Sequence, residues 1–332
     1  MQRLRRDETT DEWVILAPGR SARAHRDSGP TRTACPAFEP ECPFCPGNED
    51  RTPPEIVRWP ADPTWQMRVV PNRYPALTPA GTTERHDAGA LEMDAVGAHE
   101  VVIETRRHDE RLEDMEVDRI ASLVKLWRER SRELAAQSWA RAVVVFRNFG
   151  ERGGTSLDHP HSQIIATPVT PPELFHRIEV AERYWEEHGR SVYRDMLERE
   201  LERGERMVAV RDDFVALAPF ASHFPFETWI MPREAQASFT ALGDGQLASM
   251  ATVLRDVLRA LRDAAGDPDY NLAIRSAPVG DERRRSFVWH LAVFPRTTTQ
   301  AGFELGAGMA INTVLPEGAA AALRASLATA AR

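Results

Sequence analysis

Short apolar runs bounded by proline, glycine or charged residues occur along the whole chain, and each run predicts a β-strand. The predicted strands cover residues 12–17, 67–71, 99–104, 141–146, 161–166, 207–210, 214–218, 227–231 and 286–294. Two longer segments, residues 118–137 and 246–265, repeat apolar residues every three or four positions, which predicts amphipathic helices. A charged stretch at 172–204 and an alanine-rich stretch at 317–330 are also typical of helices. The mixture predicts an α+β fold.

The same order of elements occurs twice along the chain: strands, a helix, and then a strand that carries histidine. His161 in the first half corresponds to His290 in the second, about 130 residues further on. We therefore expect two fused copies of one α+β unit, each an antiparallel sheet with packed helices, over residues 1–172 and 205–332. Residues 173–204 are expected to form a helical connector. Only the first copy retains a complete histidine motif.

The charge balance argues against a nucleic-acid-binding protein, because 42 basic and 50 acidic residues give a net charge of −8. No apolar run reaches the roughly 18–20 residues that span a bilayer, so we expect no membrane segment. The first residues lack the apolar core of a secretory signal and the chain has three cysteines, so we expect a cytoplasmic protein with reduced thiols. Lys125 is the only lysine, so a phosphate clamp here depends on arginine, histidine or backbone N–H groups.

Cys42 and Cys45 have the Cys-x-x-Cys spacing of half a zinc site. The same spacing also occurs in redox pairs, which normally follow a strand and open a helix. Here the cysteines lie in a proline-rich loop, which favours a metal site over a redox pair. Two unremarkable thiols are the simpler alternative, and two further ligands are needed to close a tetrahedral site.

His159-Pro160-His161 is the second distinctive motif. Side chains two positions apart on an extended chain face the same way, so both imidazoles are able to reach one site. A glycine-rich loop at residues 148–156 precedes them, and such loops bring backbone N–H groups close to phosphate oxygens. Two nearby histidines are often only metal ligands or surface residues. Together with the loop and Gln163, they favour a site for phosphate chemistry.

The segment from His159 to Gln163 resembles the His-Pro-His-x-Gln motif of the galactose-1-phosphate uridylyltransferase family, a branch of the histidine-triad superfamily. The resemblance extends from the N-terminus to about Ala321. Other similar segments are the opening strand and arginine turn at 7–23, the uridine-pocket segment at 70–77, Phe146-Arg147-Asn148, Gly154-Thr155-Ser156, residues 224–228 and Gly302-Phe303-Glu304.

The resemblance implies one structural zinc ion per chain, held by Cys42, Cys45, His108 and His159. It also implies that His161 is the nucleophile: its imidazole attacks the α-phosphorus of a sugar nucleotide and forms a nucleotidyl-histidine, which a second sugar-1-phosphate discharges. Gln163 would then hold a phosphoryl oxygen, and Ser156 with the loop N–H groups would stabilise developing charge. The other implied substrate contacts are Arg20, Arg23, Asn72, Arg73, Tyr74, Asn148, Gly154, Phe303 and Glu304. The family is usually dimeric, with each site borrowing residues from its partner, so a homodimer is expected.

The chain departs from the family pattern at three places, and the first is the uridine-pocket segment, where Arg73 and Tyr74 differ from that pattern. Some members carry a second metal on a His-x-His pair, but here the segment is His290-Leu291-Ala292, and Ile274-Arg275-Ser276 stands where a further histidine is expected. We therefore expect no second metal and a buried, hydrogen-bonded His290. In the acceptor region, Thr298 stands several residues before Phe303-Glu304, where the galactose branch has a lysine.

These features lead to three functional hypotheses. The first is a uridylyltransferase that uses UDP-glucose and a hexose-1-phosphate. The second is a sugar-nucleotide phosphorylase, for which inorganic phosphate is the acceptor, because the segment around Phe303 is similar to that of ADP-glucose phosphorylases. The third is an inactive, zinc-stapled nucleotide-binding protein, which the intact His161, Gln163 and glycine-rich loop argue against.

Overall fold

A computed structural model describes residues 1–20 and 35–330 of the chain. Its strands are β1 (Arg3–Arg6), β2 (Trp13–Leu16), β3 (Val57–Trp59), β4 (Met67–Pro71), β5 (His86–Asp87), β6 (Leu91–Glu92), β7 (Ala98–Ile103), β8 (Ala142–Phe149), β9 (His161–Thr167), β10 (Met207–Val210), β11 (Phe214–Leu217), β12 (Thr228–Pro232), β13 (Tyr270–Arg275), β14 (His290–Pro295) and β15 (Ile311–Asn312). Its α-helices are α1 (Val117–Ala135), α2 (Pro172–His188), α3 (Val192–Arg203), α4 (Leu247–Ala265), α5 (Gly302–Ala307) and α6 (Pro316–Ala330). None of the helices in these described ranges is both long and apolar enough to cross a membrane.

Ten strands form one antiparallel sheet that runs through both halves of the chain, in the order β10-β11-β12-β14-β13-β8-β9-β7-β4-β3. The order is symmetric about its centre, because β3, β4, β7, β8 and β9 correspond in turn to β10, β11, β12, β13 and β14. The two units join edge to edge where β13 pairs with β8, with Tyr270 opposite Phe149. This topology confirms the α+β class with two fused units of the same strand order. The boundaries at residues 172 and 205 stay a prediction.

Helices α1 and α4 share one face of the sheet, where apolar side chains from both halves form a single buried cluster. Trp127 of α1 is fully buried there, and its indole N–H donates a hydrogen bond to Ser162 Oγ at 2.7 Å. Side chains alternate along a strand. Because Ser162 faces α1, its neighbours His161 and Gln163 lie on the opposite face of the sheet.

The connector consists of two helices rather than one continuous helical stretch. Gly189 ends α2 in the left-handed conformation, with φ of 67°, and its N–H donates to the carbonyl of Trp185 at 2.8 Å. Glycine adopts this conformation without the steric cost that other residues incur. The second half's strands are covered by this connector, through Leu174, Ile178, Tyr193 and Met196 packed with Trp229 and Ala292.

A small three-stranded sheet joins the two ends of the chain. β1 and β2 form a hairpin, and β15 pairs in parallel with β2, so that Ile311 lies opposite Ile15. This pairing places Arg20, which follows β2, beside the segment that precedes β15.

Most predicted strands and helices are present, and the differences concern polar or short elements. The Tyr270–Arg275 strand was not predicted, although its alternation of buried and half-buried residues is that of a strand with one covered face. The strand expected over residues 286–294 begins only at His290, because Ser286 to Trp289 have no partner strand among the described residues.

Candidate active site and metal centre

The four side chains expected to hold zinc, Cys42, Cys45, His108 and His159, meet at one buried place, and their ligand atoms lie within 4.8 Å of one another. Sγ of Cys45 is 3.5 Å from Nδ1 of His108 and 3.6 Å from Nδ1 of His159. A tetrahedral zinc ion with bonds of about 2.3 Å to sulfur and about 2.1 Å to nitrogen separates such ligands by about 3.6 Å. The donor set and its spacing therefore fit a metal ion. Cys35 is outside the cluster, with its Sγ 3.8 Å from the carbonyl oxygen of His108.

Hydrogen bonds prepare these ligands for a metal, although burial by itself raises the pKa of the Cys42 thiol to about 11. The N–H of Phe44 donates to Sγ of Cys42 at 3.4 Å, and such a donor stabilises a thiolate. Nε2 of His159 lies 2.8 Å from the carbonyl oxygen of Thr105, so the proton resides on Nε2 and the lone pair of Nδ1 points towards Cys45. Burial lowers the pKa of His159 to about 4, which keeps the imidazole neutral.

His161 begins β9, and one hydrogen bond determines which of its ring nitrogens carries the proton. Its Nδ1 lies 2.8 Å from the carbonyl oxygen of His159, and because a carbonyl only accepts, Nδ1 carries the proton. The lone pair is therefore on Nε2. Burial lowers the pKa of His161 below its ordinary value, so the ring is neutral at pH 7. The side chain lines a cavity of about 580 Å³ together with Asn148 and the loop that follows β8.

The glycine-rich loop is shaped by a carboxylate from the second half. The N–H of Arg152 donates to Asp269 Oδ2 at 2.7 Å. A Cβ at Gly150, where φ is 78°, would lie 1.9 Å from Oδ1 of that carboxylate, so only glycine fits there. Gly154 has the same φ but open space around it. Ser156 is an exposed residue of this loop, between two residues that line the cavity.

Gln163 belongs to a hydrogen-bonded group with Asn72 and His99, and sequence reasoning missed the histidine. The N–H of Ala76 donates to Nδ1 of His99 at 3.2 Å, so the proton of the ring is on Nε2. That Nε2–H donates to Gln163 Oε1 at 2.7 Å, and the amide nitrogen of Asn72 is 3.4 Å from the same oxygen. With its oxygen fixed in this way, Gln163 directs its NH₂ group elsewhere.

Asn72 is oriented in turn by the backbone, because its Oδ1 accepts the N–H of Tyr74 at 2.8 Å. Arg73 and Tyr74 themselves are exposed, and the guanidinium carbon of Arg73 lies 5.8 Å from the centre of the Tyr74 ring. The structure therefore brings Asn72 to Gln163 but leaves Arg73 and Tyr74, the two residues after Asn72, on the surface.

Asn148 is held by a second residue that sequence reasoning missed. The amide nitrogen of Asn271 donates to Asn148 Oδ1 at 2.8 Å and to the carbonyl of Gly153 at 2.7 Å, which ties the loop to β13. The neighbouring Arg147 faces α1 and is fully buried. It forms an ion pair with the equally buried Glu104 at 3.0 Å.

The residues expected to contact the acceptor lie in a different cavity of about 280 Å³. Arg20, Thr298 and Glu304 line it, and it shares no lining residue with the cavity of His161. Glu304 lies in the short helix α5, and its Oε2 accepts the N–H of Ala301 at 3.1 Å. Phe303 is about half exposed. Arg23, the other expected arginine clamp, lies outside the described residues.

Family models for the two domains of galactose-1-phosphate uridyl transferase match this chain, the N-terminal domain over residues 1–171 and the C-terminal domain over residues 177–329. The chain belongs to this family. Its sequence resemblance to the family is thereby confirmed, and the nucleotidyltransferase class of enzymes follows from it.

Individual family members match nearly the whole chain. An ADP-glucose phosphorylase of Arabidopsis thaliana is 32% identical over 97% of this chain and 92% of its own length. A galactose-1-phosphate uridylyltransferase of Thermotoga maritima is 30% identical over 98% of both chains. Among solved structures, the Arabidopsis ADP-glucose phosphorylase with bound ADP-glucose has a TM-score of 0.86 at 31% identity, covering 98% of both chains. A uridylyltransferase has a TM-score of 0.79 at 29% identity, covering 100% of both chains.

In this galactose-1-phosphate uridylyltransferase family member, the second half preserves the backbone of the site but not its chemistry. Nδ1 of His290 lies 3.3 Å from the carbonyl oxygen two residues earlier, that of Val288, as Nδ1 of His161 does in the first half. Its Nε2, however, lies 3.5 Å from a guanidinium nitrogen of Arg275, and its ring stacks on Trp229 with centroids 4.4 Å apart. His290 is fully buried and hydrogen-bonded, as expected.

Proposed function

We propose that the protein transfers a nucleotidyl group from a sugar nucleotide through a covalent intermediate on His161. The observation that carries this proposal is the hydrogen bond from Nδ1 of His161 to the carbonyl of His159, which leaves the Nε2 lone pair for attack beside the glycine-rich loop. Nε2 forms a bond to the α-phosphorus, the bond from that phosphorus to the bridging oxygen breaks, and sugar-1-phosphate leaves. The acceptor then forms its bond to phosphorus as the bond to Nε2 breaks.

In this proposal, Gln163 and the glycine-rich loop stabilise the negative charge that develops on the phosphoryl oxygens. The NH₂ group of Gln163 donates to a non-bridging oxygen, because His99 and Asn72 engage its carbonyl oxygen. Backbone N–H groups around Gly154 and Ser156 supply further donors, and Asn148 binds the nucleotide. The four-ligand cluster holds a structural zinc ion, which fixes the His159 end of the motif. Zinc binding requires reduced thiols at Cys42 and Cys45, in agreement with the cytoplasmic location expected from the sequence.

For the acceptor, we favour inorganic phosphate over a hexose-1-phosphate, so that the reaction is phosphorolysis of a sugar nucleotide such as ADP-glucose. The acceptor cavity contains Arg20 but has Thr298 where the galactose branch has a lysine, so a sugar phosphate has one charged partner fewer. The similarity to the Arabidopsis ADP-glucose phosphorylase points the same way. Transfer to a hexose-1-phosphate from UDP-glucose is the second candidate, supported by the Thermotoga maritima relative.

A homodimer is part of this proposal. The Arg20 and Glu304 cavity and the His161 cavity have no lining residue in common. If Arg20, Phe303 and Glu304 read the acceptor, a second copy of the chain has to bring them to His161, with Arg73 and Tyr74 available on the surface nearby.

The experiment is to incubate the enzyme with α-³²P-labelled ADP-glucose or UDP-glucose and to measure protein-bound label that is acid-labile and base-stable. We expect label in the wild type, none in His161→Gly, and wild-type label in His188→Gly, in which an exposed connector histidine is removed. Label retained in His161→Gly would contradict the mechanism. Chasing the labelled enzyme with phosphate, glucose-1-phosphate or galactose-1-phosphate then identifies the acceptor, and faster discharge by galactose-1-phosphate would favour the second candidate.

A further inference from the structure

A second cavity of about 560 Å³ lies in the second half, where the loop between β13 and β14 meets the connector helices α2 and α3. In the first half, residues 150–160 join β8 to β9 and line the cavity before His161. In the second half, residues 276–289 join β13 to β14, and residues 282–287 line the second cavity before His290. The strand register is also the same in the two halves. Ala273 of β13 lies opposite Ala292 of β14, as Phe146 of β8 lies opposite Gln163 of β9. We call this the arginine cavity, after its lining.

Five arginines line the arginine cavity: Arg190, Arg194, Arg283, Arg284 and Arg285. Only two carboxylates accompany them in the lining, those of Glu198 and Glu282. The lining alone has a net charge of +3, but three carboxylates outside it, those of Glu182, Asp195 and Asp281, pair with two of these arginines. Attraction for an anionic ligand therefore comes from the arginines that these carboxylates leave unpaired.

Two of the five guanidinium groups are already neutralised. Arg190 donates to Asp195 at 2.6 Å and to Glu198 at 2.5 Å, and Arg284 donates to Asp281 at 2.7 Å. These pairs engage both guanidinium groups before any ligand arrives.

The other three guanidinium groups are available to a ligand. Arg194 comes no closer than 3.7 Å to a carboxylate oxygen of Glu198. Arg283 is exposed and has no ion pair with any residue of the described ranges. Arg285 lies over the indole ring of Trp185, 5.1 Å from its centre. Three arginine forks and a half-buried aromatic ring suit a phosphorylated ligand, because arginine binds phosphate oxygens in pairs.

The chemistry of the first half is excluded from this cavity. The Nε2 atom of His290 faces Arg275, and the rings of Tyr193 and Phe287 pack near the imidazole, with centroids 5.7 and 6.5 Å away. Ala292 replaces the glutamine that follows the nucleophile by two residues. A ligand in the arginine cavity therefore meets charge and an aromatic ring but no nucleophile.

We propose that the arginine cavity is a second, non-catalytic binding site for a small phosphorylated molecule that carries at least two negative charges. Arg194, Arg283 and Arg285 bind its phosphate groups, and Trp185 packs against its organic part. A nucleoside diphosphate and a sugar bisphosphate share this chemistry. The site is independent of the function proposed for His161, since it uses none of the same residues.

The test is ¹⁹F NMR of the full-length protein labelled with 5-fluorotryptophan, with the Trp185 resonance assigned from Trp185→Phe. Pyrophosphate, ADP and glucose-1,6-bisphosphate are titrated in turn. We expect a saturable shift of the Trp185 resonance, and an apparent Kd that rises at least about tenfold in the Arg283→Gln/Arg285→Gln double variant, because two charge-assisted contacts are lost. Arg3→Gln/Arg85→Gln is the matched control, which removes two exposed arginines elsewhere and should leave the Kd unchanged.

The pattern across probes identifies the source of the ligand. A shift with ADP alone indicates a nucleotide, a shift with the bisphosphate alone indicates a sugar phosphate, and a shift with all three indicates that the phosphate groups suffice. The proposal is overturned if no probe shifts the Trp185 resonance, or if the Arg283→Gln/Arg285→Gln variant binds as tightly as the wild type. Labelling of His161 is measured on the same variant and should be unchanged, so failure of this proposal and failure of the proposed function are distinguishable.

Discussion

Alanine substitutions at Gly150 and Gly154 test how the glycine-rich loop is held. Both have φ of 78°, but Gly154 has ψ of 25°, the left-handed conformation, where alanine costs about 1–2 kcal/mol. Gly150 has ψ of 168°, a backbone region that is essentially restricted to glycine and costs other residues about 1–3 kcal/mol. At Gly154 a Cβ meets nothing within 4 Å. At Gly150 the Cβ would lie 1.9 Å from Oδ1 and 2.2 Å from Cγ of Asp269.

The Asp269 carboxylate therefore has to move in Gly150→Ala, and its 2.7 Å hydrogen bond from the N–H of Arg152 is lost. A hydrogen bond to a charged group contributes about 1.5–3 kcal/mol. We expect Gly150→Ala to lower the free energy of unfolding by about 3–6 kcal/mol and Gly154→Ala by about 1–2 kcal/mol. Equilibrium denaturation in urea, followed by tryptophan fluorescence, measures both values.

A double-mutant cycle with Asp269→Ala isolates the clash. Removing the carboxylate eliminates the hydrogen bond but also makes room for the new methyl group, so Gly150→Ala/Asp269→Ala should lose less stability than the sum of the single variants. The rate of label transfer to His161 should fall in Gly150→Ala more than in Gly154→Ala. Equal losses of stability at the two glycines, or additive effects in the cycle, would refute this account of the loop.

Three further predictions concern the metal centre, the glutamine and the buried ion pair. Freshly purified protein should contain one zinc ion per chain by elemental analysis, retained in Cys35→Ser and lost in Cys45→Ser, whose melting temperature should also fall. His99→Phe should lower the rate of label transfer about tenfold, since the hydrogen bond that orients the Gln163 side chain is lost. In a Gln163→Ala background the same substitution should lower that rate little further. If single-turnover kinetics show that the two effects add in full, His99 does not act through the Gln163 amide. Glu104→Gln should lower the free energy of unfolding by about 3–5 kcal/mol in urea denaturation, because it leaves the buried Arg147 guanidinium without its charged partner. A loss below about 1 kcal/mol would show that water reaches this guanidinium.

The sequence is sufficient to predict those parts of the molecule whose signal is local. The apolar runs predict β4, β7 and β9, and the three-to-four-residue spacing predicts α1 and α4. The family resemblance, in turn, identifies four candidate metal ligands, whose ligand atoms the fold brings within 4.8 Å of one another.

The residues that sequence reasoning missed take their roles from tertiary contacts. His99, Asp269 and Asn271 have no motif around them, and each acts on a residue from 64 to 123 positions away, namely Gln163, Arg152 and Asn148. A polar residue in an apolar strand was the only signal for His99. The separation of Arg20 and Glu304 from His161 was likewise invisible, because sequence similarity identifies contacts without saying which copy of the chain supplies them.

The junction between β8 and β13 has a consequence for motion. Many enzymes open and close by swinging two domains about a flexible segment, with the substrate between them. Here the two units share a row of backbone hydrogen bonds, and the strand that carries Asn148 is paired on both of its edges. A hinge between the units would have to break that row, and it would separate Asn271 from the loop that it anchors. Access to His161 is therefore expected to depend on loops and, in the proposed homodimer, on the second copy of the chain, while the sheet beneath it moves as one body.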